Sequence, residues 1–180
     1  KEVSYYGILP EWKTSDIDFG AEYHARLRDI RRYGFGKFAE SSMFIIRDER
    51  CVPVQHPDTV SLRDLKAYQT EQMQIIDNTA RFMSDAPAQH VLLYGESGTG
   101  KSAVIKAVLN SFSAQGLRLI QVQKEQLPFL PDILDLIHDN PLKFIIYADD
   151  MDMQDPSYSL LKNMMEGAAS KMPSNVLVYA

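Results

Sequence analysis

The sequence has a single cysteine, no long apolar run and no excess of basic residues. With Cys51 alone, no disulfide can form within the chain, and nothing points to an oxidising compartment. The longest wholly apolar runs, at 91–94 and 144–148, have the length of a buried strand, far short of the roughly 20 residues that a membrane span needs. We therefore expect a cytoplasmic protein that makes no membrane contact.

The charge balance also restricts the choice of partner. A net charge of −5 works against binding to a phosphate backbone, which usually relies on a clearly basic domain. Basic residues cluster once, in the N-terminal third, at Arg26, Arg28, Arg31, Arg32 and Lys37. This cluster predicts either a helix stripe that contacts nucleic acid or an acidic partner, or a solvated helix face that Glu22 and Asp29 neutralise.

Two parts of the chain differ in pattern, and we predict a small N-terminal module over residues 1–55 and a larger core over residues 56–180. In the module, a helix is expected around 23–33. Two short apolar stretches, 43–47 and 51–55, flank a polar turn and predict a hairpin whose second strand lies at a sheet edge. The chain begins without a Met or an apolar signal core, so we expect it to be a segment of a longer protein.

The core alternates strands and helices, which places it in the α/β class. We predict strands at about 90–94, 117–122, 143–148 and 175–180, and helices at about 70–84, 101–115, 131–139 and 157–171. The strands are continuous apolar runs, which indicates a parallel sheet flanked by helices on both faces. In the first helix of the core, spacings of three and four residues predict an apolar face made of Met73, Ile76, Ala80 and Met83.

The pattern G-x-x-x-x-G-K-[ST], a Walker A motif, lies between the first core strand and the next helix. Glycines let such a loop wrap an anion with its N–H groups turned inward, and the helix that follows presents further N–H groups. The lysine is expected to reach the β- and γ-phosphates, and the hydroxyl group to ligate Mg²⁺. The motif predicts binding of ATP and Mg²⁺ by Gly95, Glu96, Ser97, Gly98, Thr99, Gly100, Lys101, Ser102 and Ala103.

Two carboxylates, Asp149 and Asp150, follow the apolar strand at 144–148 and have the pattern of a Walker B motif. Because the carboxyl ends of parallel strands line the ligand crevice in open α/β sheets, both side chains are expected to face the phosphates. Asp149 is expected to hold Mg²⁺ through water. Asp150, together with Lys101, is expected to be catalytic and to orient the attacking water. The alternative is that both aspartates only cap the following helix.

These motifs, in this order, resemble the AAA+ ATPases, and more closely a bacterial AAA-type family of unknown physiological role described simply as ATP-binding. The resemblance covers residues 56–180. Besides the Walker motifs, it rests on the stretches 56–58, 62–65, 116–120, 130–133, 157–158, 161–162 and 173–180. It implies a P-loop NTPase fold of the AAA+ type.

The resemblance also implies that Val60, Leu62 and Tyr68 border the adenine, with plain helix packing as the alternative. Ala67 departs from the family, which often has glycine there. The loop is similar as well to that of bacterial enhancer-binding transcription activators. Those usually follow the lysine with Glu and insert an aromatic loop before the acidic strand, and this sequence has neither feature.

In AAA+ proteins, a polar sensor residue, a fifth strand, an arginine finger and a helical lid follow the strand that resembles 175–180. Since the chain stops at Ala180, we expect a core that is incomplete at its C-terminus. An arginine finger accelerates hydrolysis by about 10³- to 10⁵-fold. Without one, we expect the chain to bind ATP but to hydrolyse fewer than ~1 ATP molecule per minute. The resemblance implies that the full-length protein is a hydrolase that forms a ring of identical subunits and remodels an unknown protein partner.

Two other functions stay open. The chain is then either a nucleotide-binding module without catalysis, or a helicase-loader-like ATPase that uses its basic cluster to contact single-stranded nucleic acid. Asp150→Asn in the full-length protein separates the ATPase from the module without catalysis. Only an ATPase would lose turnover in this variant while it still binds ATP. Salt-sensitive DNA binding that depends on Arg31 and Arg32 would support the second.

Overall fold

A computed structural model of the protein describes residues 16–149, 156–165 and 172–180. The strands are β1 (Met43–Arg47), β2 (Arg50–Pro53), β3 (Leu117–Val122), β4 (Lys143–Ala148) and β5 (Val176–Tyr179). The helices are α1 (Phe19–Arg28), α2 (Ile30–Tyr33), α3 (Lys37–Glu40), α4 (Gln69–Met83), α5 (Lys101–Phe112), α6 (Leu130–Ile137) and α7 (Pro156–Met165). Short 3₁₀ helices lie at Leu62–Asp64, Ser113–Gln115 and Lys124–Phe129.

The described strands form one sheet with the order β2–β1–β3–β4–β5. β3 pairs in parallel with both β1 and β4, and β4 pairs in parallel with β5, whereas β2 is antiparallel to β1. The register places Gln121 of β3 beside Tyr147 of β4, and Tyr147 beside Tyr179 of β5. The carboxyl ends of these three strands therefore meet at the same edge, as the α/β prediction requires.

Helices cover both faces of this sheet. α4 and α5 pack on the face that carries Ile145 and Tyr147, while α3, α6 and α7 pack on the face that carries Phe144 and Ile146. Alternate residues of β4 thus enter two separate apolar clusters, as the pleat of a strand dictates. Both faces of the strand are buried, which explains why its sequence is a continuous apolar run.

The predicted hairpin is confirmed, and it belongs to the same sheet as the core strands. Its turn consists of Asp48 and Glu49, both with positive φ, of +48° and +60°. Two such residues give the turn the twist that a two-residue hairpin needs. β2, with Pro53, lies at a sheet edge as expected. The division of the chain after residue 55 stays a prediction about domain organisation.

The strand predicted at 90–94 is too long. Only Val91 forms a bridge, in parallel with Tyr179, and the segment continues the sheet beside β5 through a few backbone bonds. The N–H groups of Val91 and Leu93 donate to the carbonyls of Val178 and Ala180, at 2.9 and 2.6 Å. Tyr94 is 88% exposed, because the chain leaves the sheet there and turns into the glycine-rich loop.

The predicted apolar face of α4 is correct only in part: Ile76 and Met83 are half-buried against the apolar cluster, but the fully buried residues lie one position away. The buried residues are Gln72, Ile75, Thr79 and Phe82, and Met73 is 57% exposed. The two polar side chains are buried because each finds a partner: Gln72 donates to the Ala67 carbonyl, and Thr79 bonds to the Ile75 carbonyl and the Tyr179 hydroxyl. The spacing of apolar residues could not predict this face, because two of its residues are polar and are buried only through these hydrogen bonds.

The other helix predictions agree with the structure to within a few residues. α5 continues into the 3₁₀ helix Ser113–Gln115, which ends at Gly116 with a φ of +105°. Pro131 stands in the first turn of α6, as predicted. The helix predicted at 157–171 corresponds to α7 as far as Met165, and residues 166–171 lie outside the described residues. None of the helices in the described ranges is long and apolar enough to cross a membrane.

Gly116 is required by packing as well as by its backbone angle. A Cβ atom at this position would lie 2.1 Å from the Arg31 carbonyl oxygen, which belongs to α2. We expect Gly116→Ala to lower the free energy of unfolding in urea by about 2–4 kcal/mol. Gly116→Asn should cost a similar amount, because asparagine tolerates positive φ but still carries a Cβ. A much smaller loss of unfolding free energy in Gly116→Asn than in Gly116→Ala would mean that the backbone angle alone constrains the site. The control is Gln115→Ala, which changes an exposed neighbour.

His90 ties the edge segment to β5 in a pH-dependent way. Its Nδ1 atom accepts a hydrogen bond from the Val178 N–H group at 3.0 Å, which requires the neutral ring. Burial lowers the pKa of His90 below its usual 6.5, so the unfolded state binds more protons. The stabilisation is therefore complete above pH ~6.5 and is lost as the pH falls through the pKa of the folded state.

Urea unfolding between pH ~7.5 and ~5 tests this contribution. We expect His90→Asn, which keeps an acceptor but does not titrate, to show a smaller loss of stability on acidification than the wild-type protein. His24→Asn, which changes an exposed histidine, should leave the wild-type pH dependence in place. Equal slopes for wild type and His90→Asn would contradict the assignment.

Candidate functional site

The loop Gly95–Ser102 follows the edge segment beside β5 and leads into α5. Three of its glycines have positive φ: Gly95 at +146°, Gly98 at +79° and Gly100 at +89°. Gly100 is also the N-cap of α5, so no side chain at that position caps the first N–H groups of the helix. A loop of this conformation, followed by the start of a helix, is suited to an anion.

Lys101 holds the loop closed. Its Nζ atom donates hydrogen bonds to the carbonyl oxygens of Gly95 and Glu96, both at 2.9 Å. Thr99 donates to the same Glu96 carbonyl at 2.9 Å. An ammonium group has three N–H donors, so one of them remains for an anion at the mouth of the loop.

Ser102, in the first turn of α5, meets the carboxyl end of β4. Its Oγ atom lies 2.8 Å from the Tyr147 hydroxyl and 3.3 Å from Oδ1 of Asp149. Tyr147 donates a hydrogen bond to the same Oδ1 atom at 2.6 Å. The predicted metal ligands, which are 47 residues apart in sequence, are therefore brought together in the fold.

Gln121 completes this cluster from the neighbouring strand. Its Nε2 atom donates to Oδ2 of Asp149 at 3.2 Å. A cavity of about 470 Å³ opens beside these two side chains and is lined further by Gln123, Lys124 and Glu125. All of its lining residues are polar or charged, and it lies beyond the carboxyl ends of β3 and β4, where open α/β sheets bind their ligands.

The oxygen atoms of this cluster fit a magnesium ion. Hydroxyl and carboxylate oxygens are the ligand types that Mg²⁺ prefers. Two ligands at right angles around Mg²⁺ lie about 3 Å apart, close to the separation of Ser102 Oγ and Asp149 Oδ1. Ser102 can therefore ligate an ion directly, with Asp149 binding either directly or through a water molecule. Within the described ranges, no group of three or more His, Cys, Asp or Glu has the arrangement of a metal site.

The three residues proposed for the adenine lie in different surroundings. Val60 is half-buried, and its carbonyl accepts a bond at 2.8 Å from Asn110. Asn110 is nine residues beyond Lys101 in α5, or about 13 Å along the helix at 1.5 Å per residue. Leu62 packs against the apolar cluster that contains α5. Tyr68 is 56% exposed and precedes α4 with a φ of +60°.

The remaining predicted site residues are placed as follows. Ala103 is half-buried in the first turn of α5, whereas Glu96 and Ser97 are exposed on the loop. Asp150 lies outside the described residues, so its catalytic role stays a prediction from sequence. Cys51 is buried, and burial raises the pKa of its thiol to about 11, which keeps it protonated and a poor nucleophile at neutral pH.

Most of the basic cluster has partners within the protein. Arg26 pairs with Glu22 at 2.7 Å and Arg31 with Asp85 at 3.3 Å. Backbone carbonyls accept from two more: Arg32 donates to Ala114 at 2.9 Å and Lys37 to Cys51 at 2.7 Å. The predicted pairing with Glu22 and Asp29 is present in the fold, and contact with nucleic acid or an acidic partner stays a prediction.

Sequence patterns did not single out Tyr147 and Gln121. Tyr147 stands two residues before Asp149, so the two side chains share a face of the strand. This period of two, and the tyrosine hydroxyl in the otherwise apolar run at 144–148, could have indicated the contact. Gln121 had no comparable signal, because its contact with Asp149 depends on which strand lies beside β4.

Comparison with known proteins gives a family but no activity. Residues 39–180 match a family described as a protein of unknown function, DUF815, and the match includes the loop, Asp149 and the β1–β2 hairpin. No curated protein matches the chain significantly. Because the match spans most of its length, the chain belongs to this DUF815 family of unknown function.

Proposed function

We propose that the protein binds ATP together with Mg²⁺ and is the nucleotide-binding core of a P-loop ATPase of the AAA+ type. The observation that carries the proposal is the approach of Ser102 Oγ to Asp149 Oδ1, at 3.3 Å. The two side chains come from the Walker A and Walker B patterns, which the sequence separates widely. Their meeting at the carboxyl edge of a parallel sheet supports a common ligand.

The residues of the loop have separable roles in this proposal. The N–H groups of the loop and of the first turn of α5 face the phosphates, and Lys101 supplies a positive charge to them. Ser102 and Asp149 hold the metal ion, which when bound neutralises charge on the phosphate oxygens. The polar cavity beside Asp149 provides room for a water molecule or another attacking group.

We further propose that the full-length protein hydrolyses ATP, with Asp150 orienting the attacking water, and that it acts as a ring-forming oligomer on an unknown protein partner. This part rests on the resemblance to AAA+ proteins and on the Asp149–Asp150 pair. A nucleotide-binding module without catalysis shares the same binding residues. The two differ in turnover. Asp150→Asn in the full-length protein abolishes ATP hydrolysis if the protein is an ATPase, whereas a binding module hydrolyses no ATP with either residue.

Titration of the purified protein with Mg²⁺ and ATP in a calorimeter tests the binding step. Lys101→Ala should weaken binding by about 10- to 100-fold, because a charge-assisted contact to phosphate is worth roughly 1.5–3 kcal/mol. Lys106→Ala is the matched control, since Lys106 is on the same helix and pairs with Asp58 at 3.6 Å. We expect its affinity for ATP to stay near the wild-type value.

Two results would contradict the proposal. One is the absence of ATP binding by a folded wild-type protein, and the other is an equal loss of affinity in the Lys101 and Lys106 variants. Guanosine triphosphate, tested in parallel, shows whether the base contributes to recognition. A Tyr68→Ala variant with unchanged preference for ATP would remove that residue from the adenine contacts.

A further inference from the structure

The cluster at the carboxyl end of β4 contains the Tyr147 hydroxyl, to which the proposed ATP site assigns no role. We infer that Tyr147 is a positioning residue for the metal ion: it orients the Ser102 hydroxyl and the Asp149 carboxylate so that both present lone pairs to the ion. Gln121 assists by holding the second carboxylate oxygen. The inference rests on the proposed function, because it assigns a role within the same site.

The direction of the hydrogen bonds follows from which groups carry hydrogen. An ionised carboxylate only accepts, so the 2.6 Å contact between Tyr147 and Asp149 uses the phenolic hydrogen. The Ser102 hydroxyl then donates to the Tyr147 oxygen at 2.8 Å, in preference to Asp149 at 3.3 Å. With its hydrogen turned toward Tyr147, Ser102 keeps its lone pairs for a cation.

The carboxylate of Asp149 is held at both ends. Oδ1 accepts from Tyr147, and Oδ2 accepts from Gln121 at 3.2 Å. Each oxygen of a carboxylate has a second lone pair, so these two bonds fix its plane without using up its capacity to bind a metal or a metal-bound water. Gln121 and Tyr147 are register neighbours on adjacent strands, which places both donors on the α5 side of the sheet.

The position of the tyrosine hydroxyl is set by packing. Tyr147 is only 3% exposed, and its ring belongs to the apolar cluster between the sheet and helices α4 and α5. A ring held in this way has little freedom to move its hydroxyl. Groups that orient metal ligands from behind typically contribute 10- to 100-fold to metal affinity or activity, and that range is the expectation for Tyr147.

The test compares Tyr147→Phe with Tyr179→Phe. Tyr179 is the register neighbour of Tyr147 on β5; it is fully buried, and its hydroxyl bonds to Thr79 at 2.8 Å and Asn78 at 3.0 Å, away from the metal ligands. Each variant therefore loses one hydroxyl from neighbouring sites in the same sheet. The measurements are the Mg²⁺ concentration that half-saturates ATP binding, and the affinity for ATP in excess EDTA.

We expect Tyr147→Phe to raise the half-saturating Mg²⁺ concentration by about 10- to 100-fold while leaving the affinity for ATP in EDTA unchanged. Tyr179→Phe should lower the unfolding temperature but keep the wild-type Mg²⁺ dependence. Gln121→Met, which removes the amide and keeps the length of the side chain, should shift the Mg²⁺ dependence in the same direction by a smaller factor. It also provides the readout if Tyr147→Phe does not fold.

The possible outcomes distinguish the two proposals. Mg²⁺-dependent ATP binding that is the same in wild type, Tyr147→Phe and Gln121→Met would overturn this inference and leave the proposed function standing. Equal shifts in Tyr147→Phe and Tyr179→Phe would also overturn it, because they would indicate a general effect of losing a buried hydroxyl. A folded wild-type protein that does not bind ATP would overturn both.

Discussion

The parallel pairing of β3, β4 and β5 is the constraint on which the candidate site depends. Because these strands run in the same direction and in register, polar side chains near their carboxyl ends meet at one edge of the sheet. A parallel sheet must also be covered on both faces, and α5 is one of the covering helices. The first turn of α5 lies against the end of β4, which brings Ser102 within 2.8 Å of Tyr147.

Hydrogen bonds from α4 hold the segment that leads into the loop. Asn78 donates to the Gln89 carbonyl at 2.8 Å and accepts from the Gln89 N–H group at 2.9 Å. Asn78 and Thr79 also bond to the hydroxyl of Tyr179 on β5. A buried polar group without a partner costs about 1–3 kcal/mol. The Thr79 and Tyr179 hydroxyls, which belong to fully buried residues, are therefore tolerated in the core only together. The loop therefore starts from a backbone that is tied to both α4 and β5.

Much of the fold could be predicted from local patterns, and the exceptions have a common cause. The hairpin, β3, β4, α5 and the helix end at Gly116 were predictable, because apolar runs, turn residues and glycine act over a few neighbouring positions. The strand at 90–94 was predicted too long, since its extent depends on pairing with β5. The buried face of α4 was predicted one position away, because it includes the polar residues Gln72 and Thr79. Both are buried through hydrogen bonds, which the spacing of apolar residues does not reveal.

The same division holds for the candidate site. The spacing of glycines, lysine and serine from Gly95 to Ser102, and the aspartate at the end of an apolar strand, are local properties that the sequence expresses directly. That Gln121 joins this site, and that Ser102 lies beside Tyr147, is a property of the tertiary structure alone. The contacts Ser102–Tyr147 and Gln121–Asp149 connect residues 45 and 28 positions apart. Such contacts arise only from strand order and register, because these decide which side chains lie side by side at the end of the sheet.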